Sequence, residues 1–224
     1  ISIGAGSKSN QQAAIALGYL ASATNFRAIA IGAGSTANGS CSMALGWNAN
    51  ATAINAVAMG HTANALGINS TAVGTSAQAI ANYSSSYGTL ANASGLASMA
   101  FGAGANASET GAIAHGVNSI ASGANSSTFG TQSTATAEDA LAFGHSAAAS
   151  GIDSIAIGIS AVASKSNSTA IGTDANATGL SSSAFGDASQ ATGFQSTALG
   201  AMAKATQQNA TAVGEKANAS GYQG

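Results

Sequence analysis

Large and small residues alternate along the chain in a pattern that recurs every 14 residues. In each copy a large residue stands directly before a glycine and a small one stands two positions before it. A second large residue often stands three before it, as in Ile29-Ala30-Ile31-Gly32. An alternation with a period of two is typical of a β-strand that has two different faces. We therefore predict one strand immediately before each of these glycines.

The glycines that end the pattern, called the repeat glycines below, form an uninterrupted series. Sixteen of them follow one another at a spacing of 14 and account for all 224 residues, from Gly4, Gly18 and Gly32 to Gly200 and Gly214. An array without insertions is typical of a solenoid, in which the copies stack in register. We predict a single domain over residues 1–224, with one coil per copy. Because the pattern is cut at both ends, we expect this domain to be a segment of a longer protein.

A second alternation follows each repeat glycine. The third and fifth positions after it are Ala or Ser, as at Ala49 and Ala51, and the positions between and after them are mostly polar, as at Asn50 and Thr52. This pattern predicts a second strand with one small face and one polar face. A second glycine often stands seven residues after the first and is expected to supply the second turn: Gly39, Gly67, Gly95, Gly123, Gly151, Gly179, Gly193 and Gly221.

Two other fold classes fit the sequence poorly. A coiled coil has a repeat of seven, but the 29 glycines of the chain would each cost a helix about 1 kcal/mol relative to alanine. Disordered chains rich in Gly, Ser and Asn do not keep apolar and alanine columns in register over sixteen copies. The pattern therefore favours an all-β solenoid of 14-residue coils.

The small faces of the two strands must meet inside each coil, because Ala, Ser and Gly fill only a thin space. The large residues then point outward and form a stripe along the chain, which would aggregate if it stayed in water. We expect identical chains to bury it around a shared axis, although these columns alone do not fix the number of chains. The residues assigned to this interface are Ile15, Leu17, Ile29, Ile31, Leu45, Met59, Val73, Phe101, His115, Phe129, Phe143, Ile157, Ile171, Phe185, Leu199 and Val213.

Composition excludes several classes of partner. Lys and Arg number 5, Asp and Glu number 7, and charged residues make up 5% of the chain, so there is no basic field to hold nucleic acid. No apolar run is long enough to cross a bilayer, and we predict no membrane contact by this segment. The single cysteine, Cys41, cannot form a disulfide within the chain, and we predict a small, half-buried residue at a turn.

The chain lacks the groupings of side chains that catalysis requires. In a solenoid of 14-residue coils, His61 has Trp47 and Thr75 as column neighbours, and neither is an acid. His145 likewise has no acid beside it, and the adjacent Glu138 and Asp139 fit a solvated turn. His115 falls in the apolar column, where a hydrogen-bonded packing residue is favoured over a metal ligand. We predict no catalytic residues, no bound metal and no cofactor.

Bulky residues at the turns have two open interpretations. They either pack against a neighbouring subunit, which we favour, or stand exposed as ligand anchors. Trp47, Tyr19 and Leu20 carry the same ambiguity as the column just after the second glycine: Phe26, Ile54, Ile68, Leu96, Ile152, Leu180, Phe194 and Tyr222.

Segments such as Ala28-Ile29-Ala30-Ile31-Gly32 and Ser154-Ile155-Ala156-Ile157-Gly158 resemble the N-S-V-A-I-G motif of YadA-type trimeric autotransporter adhesin heads. The resemblance covers the whole chain, with departures at His115 and at Tyr87 in the same column. It implies a left-handed parallel β-roll, a homotrimer and display on the outer membrane of a Gram-negative bacterium. It also implies adhesion to host cells or to matrix proteins such as collagen, fibronectin or laminin.

Two alternative functions fit the same columns. The segment would also serve as a passive spacer that carries another adhesive domain away from the cell. An ice-binding solenoid is the third hypothesis, because the position six after the repeat glycine is Ser or Thr in twelve copies. Ice-binding faces usually need a uniform Thr row, and only six of these residues are Thr.

Overall fold

The protein is described by a computed structural model, in which residues 1–221 are placed. This part of the chain contains 32 short β-strands and no helix. It divides into two compact units, Ile1–Ala112 and Ile113–Gly224, each made of eight coils of 14 residues. The predicted all-β, parallel solenoid is confirmed, and so is the order strand, turn, strand, turn within each coil.

The strands are two or three residues long. Those of the first unit are β1 (Ser2–Ile3), β2 (Lys8–Ser9), β3 (Ile15–Leu17), β4 (Ser22–Ala23), β5 (Ile29–Ile31), β6 (Thr36–Ala37), β7 (Met43–Leu45), β8 (Asn50–Ala51), β9 (Val57–Met59), β10 (Asn64–Ala65), β11 (Thr71–Val73), β12 (Gln78–Ala79), β13 (Ser85–Tyr87), β14 (Asn92–Ala93), β15 (Met99–Phe101) and β16 (Asn106–Ala107).

The second unit repeats this arrangement. Its strands are β17 (Ile113–His115), β18 (Ile120–Ala121), β19 (Ser127–Phe129), β20 (Thr134–Ala135), β21 (Leu141–Phe143), β22 (Ala148–Ala149), β23 (Ile155–Ile157), β24 (Val162–Ala163), β25 (Thr169–Ile171), β26 (Asn176–Ala177), β27 (Ser183–Phe185), β28 (Gln190–Ala191), β29 (Thr197–Leu199), β30 (Lys204–Ala205), β31 (Thr211–Val213) and β32 (Asn218–Ala219).

Within each unit the odd-numbered strands form one parallel sheet and the even-numbered strands form another. Each residue pairs with the residue 14 positions along, as Ile29 does with Met43 in the first unit and Phe143 with Ile157 in the second. This register explains the strict spacing, because one inserted residue would turn every following side chain to the other face.

The interior of each unit is built almost entirely from alanine. Ala44 and Ala58 of the odd sheet are buried opposite Ala49 and Ala51 of the even sheet, and this arrangement recurs along both units. The largest fully buried side chain among the described residues is Thr128. Because the interior is this thin, the bulky residues of the repeat have no place inside the chain.

A further buried column lies four residues before each repeat glycine, and the sequence analysis missed it. It consists of alanine or serine, and several of its serines donate a hydrogen bond to the carbonyl three residues earlier. Ser42 Oγ lies 2.7 Å from the oxygen of Gly39, and Ser182 Oγ lies 2.7 Å from that of Gly179. In these coils the hydroxyl is hydrogen-bonded within its own turn, so serine replaces alanine without leaving a buried polar group unpaired. Ser70 and Ser98 of the same column are exceptions, because their buried hydroxyls have no hydrogen-bond partner within the described chain.

Within the described residues 1–221, both turns of a coil place a residue in the left-handed region. In the second coil these residues are Leu20, with φ of 55°, and Arg27, with φ of 53°. The repeat glycine opens the first turn and itself has a positive φ, 134° at Gly46. Positive φ at the third residue is typical of type II turns.

The second glycine opens the second turn as predicted, but its backbone does not adopt a positive φ. Gly39 is buried, and a Cβ there would collide with the carbonyl oxygen of Ala53 in the next coil. Close approach between coils therefore explains this glycine, whereas the left-handed residue of the turn comes two positions later. The turn position predicted for Cys41 is confirmed, but the prediction that it is half-buried is wrong, because the thiol is exposed.

Candidate adhesive and assembly surfaces

The outward stripe predicted from the sequence is a real surface of both units. We use the name apolar stripe for the residues one and three positions before the repeat glycines. None of the sixteen assigned residues is buried within the chain, and all lie on the outer side of the odd sheets. Phe143 keeps 54% of its surface exposed and Met59 keeps 42%. Each unit therefore presents a continuous apolar face that its own chain does not cover.

Aromatic rings follow one another within the stripe. The rings of Tyr87 and Phe101 are stacked, with centroids 4.8 Å apart and an angle of 6° between their planes. In the second unit the His115 ring lies 5.8 Å from that of Phe129, which lies 5.9 Å from Phe143. The two polar departures in this column thus pack their rings against aromatic neighbours.

The outer face of the even sheets is polar and carries side-chain ladders between coils. Asn92 Nδ2 donates to Asn106 Oδ1 at 3.1 Å, and Thr24 Oγ1 donates to Asn38 Oδ1 at 2.7 Å. These bonds hold amide and hydroxyl groups at the spacing of the coils. The face thus offers rows of donors and acceptors to a partner.

Apolar residues interrupt that polar face at several positions, among them Ile120 and Val162 in the second unit. Leu66 and Ile80 occupy the position six after the repeat glycine in neighbouring coils, and each is 40% exposed. The sequence analysis counted this column as mostly Ser or Thr without noting that its two large residues are adjacent. Their presence breaks any uniform Thr row and weakens the ice-binding hypothesis for the first unit.

Bulky residues at the second turns are exposed in the single chain. This holds for seven of the eight named above, from Phe26 to Phe194, while Tyr222 lies outside the described residues. The guanidinium of Arg27 lies 4.8 Å from the centroid of the Phe26 ring. Exposure in one chain leaves both interpretations of these residues open.

The titratable side chains are scattered over the described part of the chain. His61 stacks against Trp47, and Nδ1 of His145 lies 3.1 Å from the carbonyl oxygen of Thr131. Glu138 and Asp139 lie in a turn, as predicted. Residues 1–221 contain no group of three or more His, Cys, Asp or Glu residues able to share a metal ion. Within the same residues there is no helix of the length and apolarity that a membrane span requires.

The chain is similar to one family model and to a solved structure. The family model described as YadA head domain repeat (2 copies) matches the chain in overlapping segments that together span residues 23–91 and 93–224. No curated protein matches the chain. The crystal structure of the collagen-binding domain of the Yersinia adhesin YadA aligns with 92% of this chain and 82% of its own, at 19% identity and a TM-score of 0.33.

The family match rests on the same columns that build the fold. From residue 135 onward its segments begin 14 residues apart, which is the spacing of the repeat, and all segments together cover most of both units. The stacked parallel coils, the alanine interior and the repeat glycines are all features of this single repeat. The chain therefore belongs to the family of YadA head domain repeats, the adhesin-type heads.

Proposed function

We propose that this protein is the head of a bacterial surface adhesin, assembled as a homotrimer and displayed outside the Gram-negative outer membrane. Its ligands are host cells or extracellular matrix proteins such as collagen, fibronectin or laminin. The observation that carries the proposal is the apolar stripe, present on both units of a chain that belongs to an adhesin head family.

Assembly through the stripe follows from the thinness of the interior. Fully burying a large apolar side chain contributes about 1.5–3 kcal/mol, and the stripe repeats such residues in nearly every coil. Closed symmetry around a shared axis buries the same stripe of every chain and leaves no apolar face open. Three chains are proposed because trimers are what the family resemblance implies.

Binding through the remaining surface would rely on hydrogen bonds and shape. Residues 28–108 contain no Asp, Glu, Lys or Arg, so electrostatic steering is weak over most of the first unit. Repetition of the polar ladders on three chains supports multivalent attachment, in which many weak contacts add up. Adhesion is accordingly expected to change little when salt is raised from about 0.15 M to about 0.5 M.

Solid-phase binding tests this function directly. The purified protein is applied to immobilised collagen, fibronectin and laminin and to cultured host cells, at both salt concentrations. Saturable binding to at least one surface, retained at high salt, is the expected result. A folded oligomer that binds none of them would contradict the proposal.

The regular columns favour one second candidate, a passive spacer. Its test uses the full-length protein, with this segment shortened or lengthened by whole pairs of coils. Unchanged adhesion at every length would favour the spacer, whereas loss of adhesion on replacement by unrelated coils would favour the adhesive head.

A further inference from the structure

The first turns of four successive coils form an unusual group on the surface of the first unit. At the position just after the repeat glycine they carry Tyr19, Ala33, Trp47 and His61 in turn. The indole of Trp47 lies against the imidazole of His61 in a tilted contact, with centroids 4.6 Å apart and planes inclined by 30°. Trp47 nevertheless keeps 52% of its surface exposed, and Tyr19 keeps 62%. His61 thus contacts the indole from the coil on one side, and the coil of Ala33 is the neighbour on the other side.

The small residues of that coil leave a gap between two aromatic side chains. Tyr19 and Trp47 are two coils apart, or about 9.6 Å at the usual strand spacing. The ladder runs unbroken beneath the gap, because Gly34 N donates to Tyr19 O at 2.8 Å and Asn48 N donates to Ala33 O at 2.9 Å. Ala33 and Gly34 therefore occupy the coil between Tyr19 and Trp47, where they present only a methyl group and a hydrogen as side chains.

The width of this gap suits a puckered ring. A flat layer between two rings needs about 7–8 Å, which is twice the contact distance of about 3.5–4.0 Å between carbon atoms. Across a spacing of about 9.6 Å between the two coils, a flat ring would not contact both side chains. A saturated ring is thicker and would fill the space better.

The polar side chain of Asn48 lies beside Gly34. The side-chain oxygen of Asn48 lies directly over Gly34, so closely that a Cβ at residue 34 would collide with it. The carboxamide of Asn48 offers two N–H donors and one acceptor oxygen at the edge of the gap. A side chain at residue 34 would occupy the position that the Asn48 amide now takes.

The first turns that hold these residues carry no formal charge. The first turns of these four coils contain no Asp, Glu, Lys or Arg, and neither does any other position in residues 28–108. An ionic ligand would find no counter-charge here, whereas a neutral ligand with hydroxyl groups pairs well with an amide and an aromatic face.

We propose that Tyr19, Ala33, Gly34, Trp47 and Asn48, here called the Trp47 slot, bind a neutral pyranose ring of a glycan. The CH-rich face of the sugar stacks on the open face of the indole, opposite His61. The Tyr19 ring lies on the other side of the sugar, and Asn48 hydrogen-bonds to its hydroxyl groups. This site is independent of matrix-protein binding and of the partner of the polar ladders.

The chain provides its own probe, because Trp47 is its single tryptophan. Intrinsic fluorescence of the assembled protein is measured during titration with the methyl glycosides of glucose, galactose, mannose and N-acetylglucosamine. A saturable change with at least one of them is expected, with a dissociation constant of about 0.1–10 mM. Sialic acid methyl glycoside serves as the acidic probe and is expected to bind at least tenfold more weakly.

Substitutions separate the slot from general effects on the fold. Ala33→Trp fills the gap in a column that already accepts tryptophan at residue 47, and it should weaken binding at least tenfold in calorimetry. Asn48→Ala should weaken it several-fold. Leu90→Ala is the matched control, because Leu90 is exposed at the first turn of another coil of the same unit and should leave binding unchanged.

Three results would overturn the proposal. One is the lack of a saturable response to every neutral glycoside up to about 50 mM. Another is equal affinity in wild type and Ala33→Trp. The third is a blue-shifted Trp47 emission that iodide cannot quench, because the indole would then be covered by a partner chain.

Discussion

At the scale of single residues, the interior requires side chains that are small enough for a thin coil. Any buried polar group among them also needs a hydrogen-bond partner. Buried serines meet this requirement where they reach a carbonyl of their own turn, as Ser84 Oγ reaches the oxygen of Ala81 at 2.7 Å. Ser86 stands in the column that holds alanine in most coils and pairs with Ala72 and Ala100 on its two sides. Its buried hydroxyl has no hydrogen-bond partner within the described chain.

Replacing Ser86 by alanine should therefore stabilise the protein. Ser86→Ala removes an unsatisfied buried hydroxyl and restores the residue of the column, with an expected gain of about 1 kcal/mol in the free energy of unfolding. Ser84→Ala removes a satisfied hydroxyl two residues away and should cost about 0.5–1.5 kcal/mol. Urea denaturation at equal protein concentration measures both variants, and a less stable Ser86→Ala protein would contradict the argument.

At the scale of the elements, the first turn is limited by the distance between coils as well as by its own dihedral angles. Gly46 has a φ of 134°, and a Cβ on it would collide with the carbonyl oxygen of Gly60 in the next coil. Gly6, also in a first turn, has a φ of 69°, but a Cβ on it would meet only Cδ2 of Leu20, the end of a flexible side chain. The two glycines thus separate backbone strain from contact between coils.

Gly46→Ala should consequently be far more damaging than Gly6→Ala. Backbone strain at such a position costs about 1–3 kcal/mol, and we expect that range for Gly6→Ala. Gly46→Ala adds the clash and should lower the free energy of unfolding well beyond it. Thermal and urea unfolding followed by circular dichroism provide the comparison. Equal losses in the two variants would show that stacking does not limit this turn.

At the scale of the whole molecule, the apolar stripe is the surface that a single chain leaves exposed to water. A charge in the stripe should prevent assembly without disturbing the interior, because the altered side chain points away from the alanine core. Met59→Glu is the test, and Gln78→Glu is its control on the exposed outer face of the even sheet in the same unit. Sedimentation velocity should give smaller species for Met59→Glu and the wild-type species for Gln78→Glu. Identical assembly of both variants would place the interface elsewhere.

Much of this fold could be predicted from sequence because each position of the repeat has the same structural role in every coil. The strand before each repeat glycine, such as Ile29–Ile31, and the alanine interior both follow from alternation at a fixed period. The left-handed turn residues could not be predicted, since Leu20 and Thr62 adopt a positive φ that their own preferences do not favour. Stacking of the coils overrides those preferences. The buried serine column was missed because serine also fits an exposed turn.

The Trp47 slot illustrates the same limit for the candidate sites. The sequence placed Trp47 and His61 in one column of the repeat. It did not indicate that the side chain of Asn48 lies over the backbone of Gly34. The apolar stripe was visible in the sequence, because large residues cannot fit between walls of alanine. The columns of one chain do not specify what covers the stripe, and its cover by identical chains is a proposal.

The most direct test of the account is the molar mass of the purified protein in solution, measured by equilibrium sedimentation over a range of concentrations. Burial of the apolar stripe around a shared axis predicts a stable oligomer with no folded single chain at low concentration, and the proposed trimer has three times the 21.1 kDa chain mass. A folded, soluble protein of one chain mass at every concentration would contradict it.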